Sequence, residues 1–349
     1  MKKTIKKFIF ISIIAIIITN FILITNNIHV GAYALNEGDN NSDIVFLGGN
    51  PIGIISDSKD GLVVTEVVNI TTESGSFSPA LKAGIKKGDL IFSANGEKIY
   101  DIESFNKTIE SSVSPIILGI IREDKGITIT IEPVFDLIAN RKKIGLMLKN
   151  NIAGIGTLTY VTKSNNFGAL GHQIVDGFGH GNIYKNGLIF LCDITGYKVA
   201  ISNTPGELIG KINTEYSPIG TISENKFCGI FGEITDDSFP PNKTPIEVGS
   251  KDSVMPGKAY ICTTINGSEP QRYEIEIVKT FNQTSPNEKS MVLRITDKRL
   301  LSTTKGILQG MSGSPIIQND KLIGAVTHVF TNDSTMGYGI YIDWMLPVE

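Results

Sequence analysis

The chain opens with a block of apolar positions that differs from everything after it. Phe8 to Ile24 is apolar except at Ser12, Thr19 and Asn20, and Lys2, Lys3, Lys6 and Lys7 precede it. A span of this length lies at the short end of what crosses a bilayer, and basic residues before it keep the N-terminus on the cytoplasmic side. Residues 1–27 therefore read as an export signal serving as a membrane anchor, with the remainder outside the cytoplasm. Ala32-Tyr33-Ala34 offers a cleavage pattern, although farther from the apolar core than usual. Residues 28–42 read as a flexible tether, rich in Asn, Gly, Asp and Ser near its end.

Beyond Leu137 the pattern becomes one of short β-branched and aromatic runs separated by Gly, Pro, Asn or Asp. Gly154 to Tyr160, Gly187 to Cys192, Tyr197 to Ile201, Cys228 to Ile234, Lys258 to Ile265, Tyr273 to Thr280 and Met291 to Ile295 each predict a strand. Few helical periodicities compete, so residues 137–349 predict an all-β barrel or sandwich. Residues 43–136 differ. A short helix containing Ala80 and Ala83 ends at Gly84, and Gly88-Asp89 starts a strand. Asn95-Gly96 supplies a hairpin turn, and Asp101 caps a helix with Ile102, Phe105 and Ile109 on one face.

Candidate chemistry concentrates in Gly310-Met311-Ser312-Gly313-Ser314-Pro315. It is followed by Ile316-Ile317, a polar turn at Asn319-Asp320 and the apolar run Leu322 to Val326. Glycines at 310 and 313 allow a tight turn that exposes one serine hydroxyl. The same turn aims the backbone N–H groups of Gly310 and Ser312 at one point, as an oxyanion hole requires. The return strand of the hairpin would offer an edge to an extended peptide. A serine nucleophile needs a base. The chain has four histidines, of which His29 adjoins the anchor. His172, in Gly168-Ala169-Leu170-Gly171-His172, is the leading candidate, and His180, flanked by glycines, is the alternative.

These residues resemble chymotrypsin-like serine peptidases and, more closely, the stage IV sporulation protein B peptidases of endospore-forming bacteria. The likeness extends over Gly154-Ile155-Gly156-Thr157-Leu158-Thr159-Tyr160, Pro205-Gly206-Glu207-Leu208, Gly324-Ala325-Val326-Thr327-His328 and Gly337-Tyr338-Gly339-Ile340. It implies two β-barrels with the catalytic groups between them. It also implies a signalling serine endopeptidase that cleaves a membrane-bound regulator across the forespore membrane, with self-cleavage, so that the late mother-cell sigma factor is activated. By position before the nucleophile, the resemblance places the triad acid on Asp297. The order usual in chymotrypsin-like barrels makes Asp193 the rival. His328, on the return strand, falls by the same likeness beside the pocket for the residue preceding the scissile bond.

The motif Ser78-Pro79-Ala80-Leu81-Lys82-Ala83-Gly84-Ile85 through Gly88-Asp89-Leu90-Ile91 resembles a PDZ domain. That likeness implies a peptide groove, and it puts Gly49, Ile52, Gly53 and Ile54 in the loop and strand that receive a peptide terminus, with the chain's own N-terminal segment as one candidate ligand. The partners expected are thus a protein substrate, a peptide and the membrane. Competing readings are an envelope quality-control protease of the HtrA type, in which PDZ follows the catalytic domain, and an inactive peptide-binding scaffold.

Composition changes little of this. A formal charge of −3 and a pI near 5.9 give no footprint for nucleic acid. Cys192, Cys228 and Cys262 are scattered and odd in number, which predicts buried thiols in place of a disulfide framework or metal site. No cofactor is expected.

Overall fold

A computed structural model describes residues 44–346 except 202, 203, 241 and 242. The anchor and tether expected over 1–42 lie outside the described residues. Among the described residues no helix is long and apolar enough to cross a membrane.

Strands dominate, and two sets of six form closed barrels. In the first, Asn151–Val161, Pro51–Asp57, Gly187–Lys198, Gly220–Lys226, Gly229–Ile234 and Asn166–Ala169 follow one another, and the last pairs back with the first. In the second, Lys321–Val329, Pro315–Gln318, Gly257–Thr263, Gln271–Thr280, Met291–Ile295 and Met336–Tyr341 close in the same way. All pairings within both rings are antiparallel. Each barrel has a dry core. Ile52, Leu158, Phe167, Ile189 and Ile230 fill the first, and Ile261, Ile275, Leu293, Ile316 and Met311 the second. Closure leaves neither ring with a free edge at its waist.

Tyr197 to Ile201 does not form a separate strand. Gly187–Lys198 is continuous because a bulge between Ile194 and Gly196 absorbs the bend that the glycine signals.

A smaller module stands on the first barrel. Its sheet has the order Leu146–Lys149, Leu62–Val67, Leu90–Ala94, Ile116–Arg122, Lys125–Ile131. The helix Ile102–Ser111 covers one face, with Phe105 and Ile109 packed on Leu62, Ile91 and Leu118. Asp101 caps this helix through Ser104 N–H at 2.7 Å, and Ser78 caps Pro79–Lys82 through Leu81 N–H at 3.2 Å. Asp89 is buried, yet its charge is met bidentately by Arg122 at 2.6 and 2.7 Å and it accepts Lys86 N–H at 2.8 Å.

The module's boundaries depart from the expected 43–136 at both ends. Ile44–Leu47 and Pro51–Asp57 belong to the peptidase side, while Leu146–Lys149 completes the small sheet. Gly49, Ile52, Gly53 and Ile54 therefore do not line the module's groove, and of the four only Ile54 borders the catalytic cleft. Pro51–Asp57 is hydrogen-bonded on both sides, to Asn151–Val161 and to Gly187–Lys198, so it has no edge to offer. Ile52 and Ile54 point into the barrel core, and Gly49 carries its neighbours past Cys262 at a φ of +108°.

Gly53 is required by packing. A Cβ there would stand 2.4 Å from Ile212 Cγ2, whereas one at Gly154 would meet nothing within 4 Å. Gly53→Ala is expected to cost about 1–3 kcal/mol through overpacking and Gly154→Ala to be nearly neutral. Thermal unfolding of the two variants side by side checks this.

Candidate active site

The two barrels meet at the loop Gln309–Pro315, and nearly every polar group of that loop's backbone is tied down. Gln309 carbonyl accepts Leu208 N–H at 2.9 Å and Gly310 carbonyl accepts Thr157 Oγ1 at 2.8 Å. Met311 carbonyl accepts both Ser314 N–H at 3.0 Å and Ser314 Oγ at 2.6 Å. Ser312 carbonyl accepts Thr157 N–H at 2.9 Å, and Gly313 carbonyl accepts Thr159 Oγ1 at 2.7 Å. Four N–H groups also have acceptors: Gln309 on Gly206, Met311 on Leu308, Gly313 on Val326 and Ser314 on Met311.

Two N–H groups remain, those of Gly310 and Ser312, and they donate to no protein atom among the described residues. Both residues line the same cleft. Fixing each carbonyl on the scaffold turns the opposite end of its peptide plane outward, since a peptide unit is planar and trans. The geometry thus presents two free donors beside the Ser312 hydroxyl. Gly313 has no substitute, because its φ is +95° and a Cβ would lie 2.0 Å from Thr157 carbonyl and 2.4 Å from Leu170 N.

The cleft measures about 770 Å³. His172 and His328 line it with Ser312, and among the described residues Glu288 is the only Asp, Glu, Lys or Arg in its wall. His172 follows the strand Asn166–Ala169 after a sharp turn in which Leu170 and Gly171 adopt φ of +69° and +71°. Its Nδ1 lies 2.9 Å from Gln173 carbonyl. A carbonyl only accepts, so Nδ1 carries the proton and Nε2 is left as the basic nitrogen. Ser312 Oγ donates to Thr327 carbonyl at 2.7 Å, so a rotation about χ1 separates it from any bond to the imidazole.

His328 packs its ring 5.0 Å from that of His172, at 40°. Its Nδ1 is buried without a partner among the described residues. Burial, and then the neighbouring His172, push its pKa below the usual histidine value, while Glu288 acts weakly in the opposite sense.

The expected triad acids lie elsewhere. Asp297 is the N-cap of Lys298–Thr304 and accepts Arg299 N–H at 2.8 Å, Leu300 N–H at 3.3 Å and Glu274 N–H at 3.3 Å. Its other bonds come from the Arg299 guanidinium, the main cause of a pKa held down to about 2. Asp193 accepts Asn213 Nδ2 at 2.9 Å. Neither lines the cleft with His172, because each is consumed by local capping and turn bonds. His180 is likewise outside it, bound through Nδ1 to buried Asp176 at 3.2 Å. Sequence reading misses the Gln173 carbonyl, Thr157 and Thr159. The first is a main-chain group with no residue signature, and the threonines sit in a segment that reads simply as strand.

Residues 140–346 match the family model of SpoIVB peptidase S55. The chain belongs to that family. Membership makes it a peptidase and is consistent with a serine at the centre of the cleft. No curated protein matches the chain. Among solved structures, the active form of the Rv3671c protease from M. tuberculosis aligns with 57% of this chain and 76% of its own, at 12% identity. The TM-score is 0.31, too low to bear on mechanism.

Asp297→Ala removes a helix cap and is expected to cost about 1 kcal/mol while leaving turnover per folded molecule within about twofold. Loss of a genuine triad acid costs about 10⁴-fold, so activity normalised to folded protein separates the two roles. For His328, the unfolded state binds its proton at a higher pH than the folded state does. Stability is therefore unaffected above the ordinary histidine range and falls as pH drops through it. His328→Asn should flatten the acid side of a melting-temperature profile measured between about pH 5 and 8.

Proposed function

We propose that the chain is a serine endopeptidase tethered outside the cytoplasm, with Ser312 as nucleophile and His172 as general base. The carrying observation is the pair of unbonded N–H groups at Gly310 and Ser312, beside a serine and a histidine in one cleft.

Ser312 Oγ leaves Thr327 carbonyl, turns to His172 Nε2 and gives up its proton as it bonds the scissile carbonyl carbon. The carbonyl oxygen becomes an oxyanion received by the two N–H groups. His172 is now an imidazolium whose Nδ1–H points to Gln173 carbonyl, the orienting role that a carboxylate fills in the Ser-His-Asp arrangement. The imidazolium protonates the departing amine, leaving an acyl-enzyme. Water attacks this ester with the same base, and Ser312 is released. We assign His328 to the wall of the pocket for the residue before the scissile bond.

The small module reads as a PDZ domain on its helix-on-sheet form. Its groove, of about 220 Å³, lies between Ile102–Ser111 and Leu146–Lys149 and is walled by Ile102, Phe105, Ile109, Leu146 and Leu148. Gly145, at a φ of +82°, turns the chain at its end. The loop just after His172 packs on this module, with Phe178 against Gly88 and Lys87 and Lys149 over its ring. That contact supports control of the catalytic histidine by the module.

Family membership supports the finer reading: a sporulation signalling protease that cleaves a membrane-bound regulator from the forespore intermembrane space and cleaves itself. The module's place between Pro51–Asp57 and Asn151–Val161, ahead of both His172 and Ser312, favours this over an HtrA-type quality-control enzyme.

Ser312→Ala and His172→Ala should each lower turnover by several orders of magnitude, and the double variant little further, because such residues act as a unit. Mass spectrometry of the wild type beside Ser312→Ala tests it. Cleavage products common to both would remove Ser312 from the mechanism, and failure of a serine-directed phosphonate to label the wild type would favour an inactive scaffold.

A further inference from the structure

The groove and the catalytic cleft share one strand edge, bent by a bulge between Met147 and Leu148. Leu146–Lys149 and Asn151–Val161 run in succession, and Leu62–Val67 and Pro51–Asp57 pair along one side of both. Leu146 stands opposite Val67, Lys149 opposite Val63, Asn151 opposite Asp57 and Thr157 opposite Pro51. Asn150 joins the two strands, and its carbonyl accepts Ser58 N–H at 2.5 Å on the paired side.

The other side is open. Among the described residues no strand pairs there between Leu146 and Gly156, since pairing with Asn166–Ala169 begins only at Leu158. In an antiparallel ladder the N–H and C=O of a residue face the same neighbour, and successive residues face opposite ways. Leu158 N–H donates to Asn50 on the paired side, and Thr157 N–H donates to Ser312 on the other. Asn151, Ala153 and Ile155 are in phase with Thr157, so their peptide groups face the side on which Ser312 lies. Ala153 and Ile155 line the catalytic cleft, and Leu146 and Leu148 line the groove.

We propose that one extended polypeptide substrate adds as a strand along this whole edge, with its C-terminal part in the groove and its scissile bond at Ser312. Main-chain pairing of this kind supplies affinity with little sequence demand. Charge sets the direction. Arg141, Lys142 and Lys143 line the groove just before Leu146; Arg141 pairs with Glu110, Lys143 with Asp136, and Lys142 bonds Ser112 carbonyl, which leaves this end with a net positive charge. A chain terminus carrying a carboxylate is matched there, so the substrate runs antiparallel to residues 146–157. From Leu146 to Thr157 the edge is roughly 36 Å long at about 3.3 Å per residue, and cleavage falls roughly ten residues before the docked terminus.

The inference rests on Ser312 being the nucleophile, and the test separates the two. Quenched fluorescent peptides, of a sequence selected from a library by the wild-type protein, share the residues before the scissile bond. They carry C-terminal extensions of about 2, 6, 10 and 14 residues. The expected result is a kcat/KM that rises at least about tenfold as the extension reaches roughly ten residues and then levels off. Ala153→Pro removes one donor from the open side and leaves the paired side intact. Ile102→Asp places a like charge in the groove. In each, the ratio of kcat/KM between the ten-residue and two-residue extensions should fall to near one. Cleavage by the wild type that is abolished in Ser312→Ala but indifferent to extension length overturns the shared edge alone. Cleavage of the shortest peptide by Ser312→Ala overturns the nucleophile assignment instead.

Discussion

Thr157 makes two hydrogen bonds on which the rest of the site depends. Its hydroxyl holds Gly310 carbonyl and its N–H holds Ser312 carbonyl, at 2.8 and 2.9 Å. Both carbonyls belong to the second barrel's loop and Thr157 to the first barrel's strand Asn151–Val161. The residue is 2% exposed, so these bonds form out of water, where leaving a partner unpaired costs about 1–3 kcal/mol. With the alternate peptides held by Leu208 and Ser314, the loop has one set of plane orientations, and the donors at 310 and 312 have nowhere to turn but the cleft. The hole is set jointly by the bonds between the barrels and by the loop's own Ser314.

That constraint also joins the two ends of the molecule. Thr157 lies on the strand that follows directly from the small module's edge, while the segment after His172 rests on the same module through Phe178. Thr157, which holds the Ser312 loop, and His172 are each one continuous stretch of backbone from the module. A buried cluster of Val63, Leu90, Ile183 and Tyr184 fills the junction, so the module packs against the catalytic part as a solid contact.

Much of this is legible in the sequence, and the limits have physical causes. Gly310-Met311-Ser312-Gly313 and Gly168-Ala169-Leu170-Gly171-His172 announce themselves because tight backbone needs glycine, and the helix after Asp101 because capping and a three-seven spacing are local. Pro51–Asp57 misleads for the opposite reason. Its partners lie about a hundred residues and more further along the chain, and a glycine-rich apolar run next to a module looks like part of it. Asp297 sits where the family resemblance puts an acid, yet Arg299 two residues on and the free N–H groups of a helix start claim both its oxygens. The orienter of His172 is a main-chain carbonyl, invisible to any reading of side chains.

The central claim is that Thr157, from the opposite barrel, fixes the peptide that lies between the two oxyanion donors. Rates of Ser312 labelling by a peptidyl phosphonate, whose phosphoryl oxygen occupies that hole, test it most directly when wild type is compared with Thr157→Val at a temperature where both are folded. The account predicts labelling slower by about 10²-fold, on the scale of losing one oxyanion donor, with reversible binding of the corresponding peptide product unchanged. Equal labelling rates in the two proteins would contradict it.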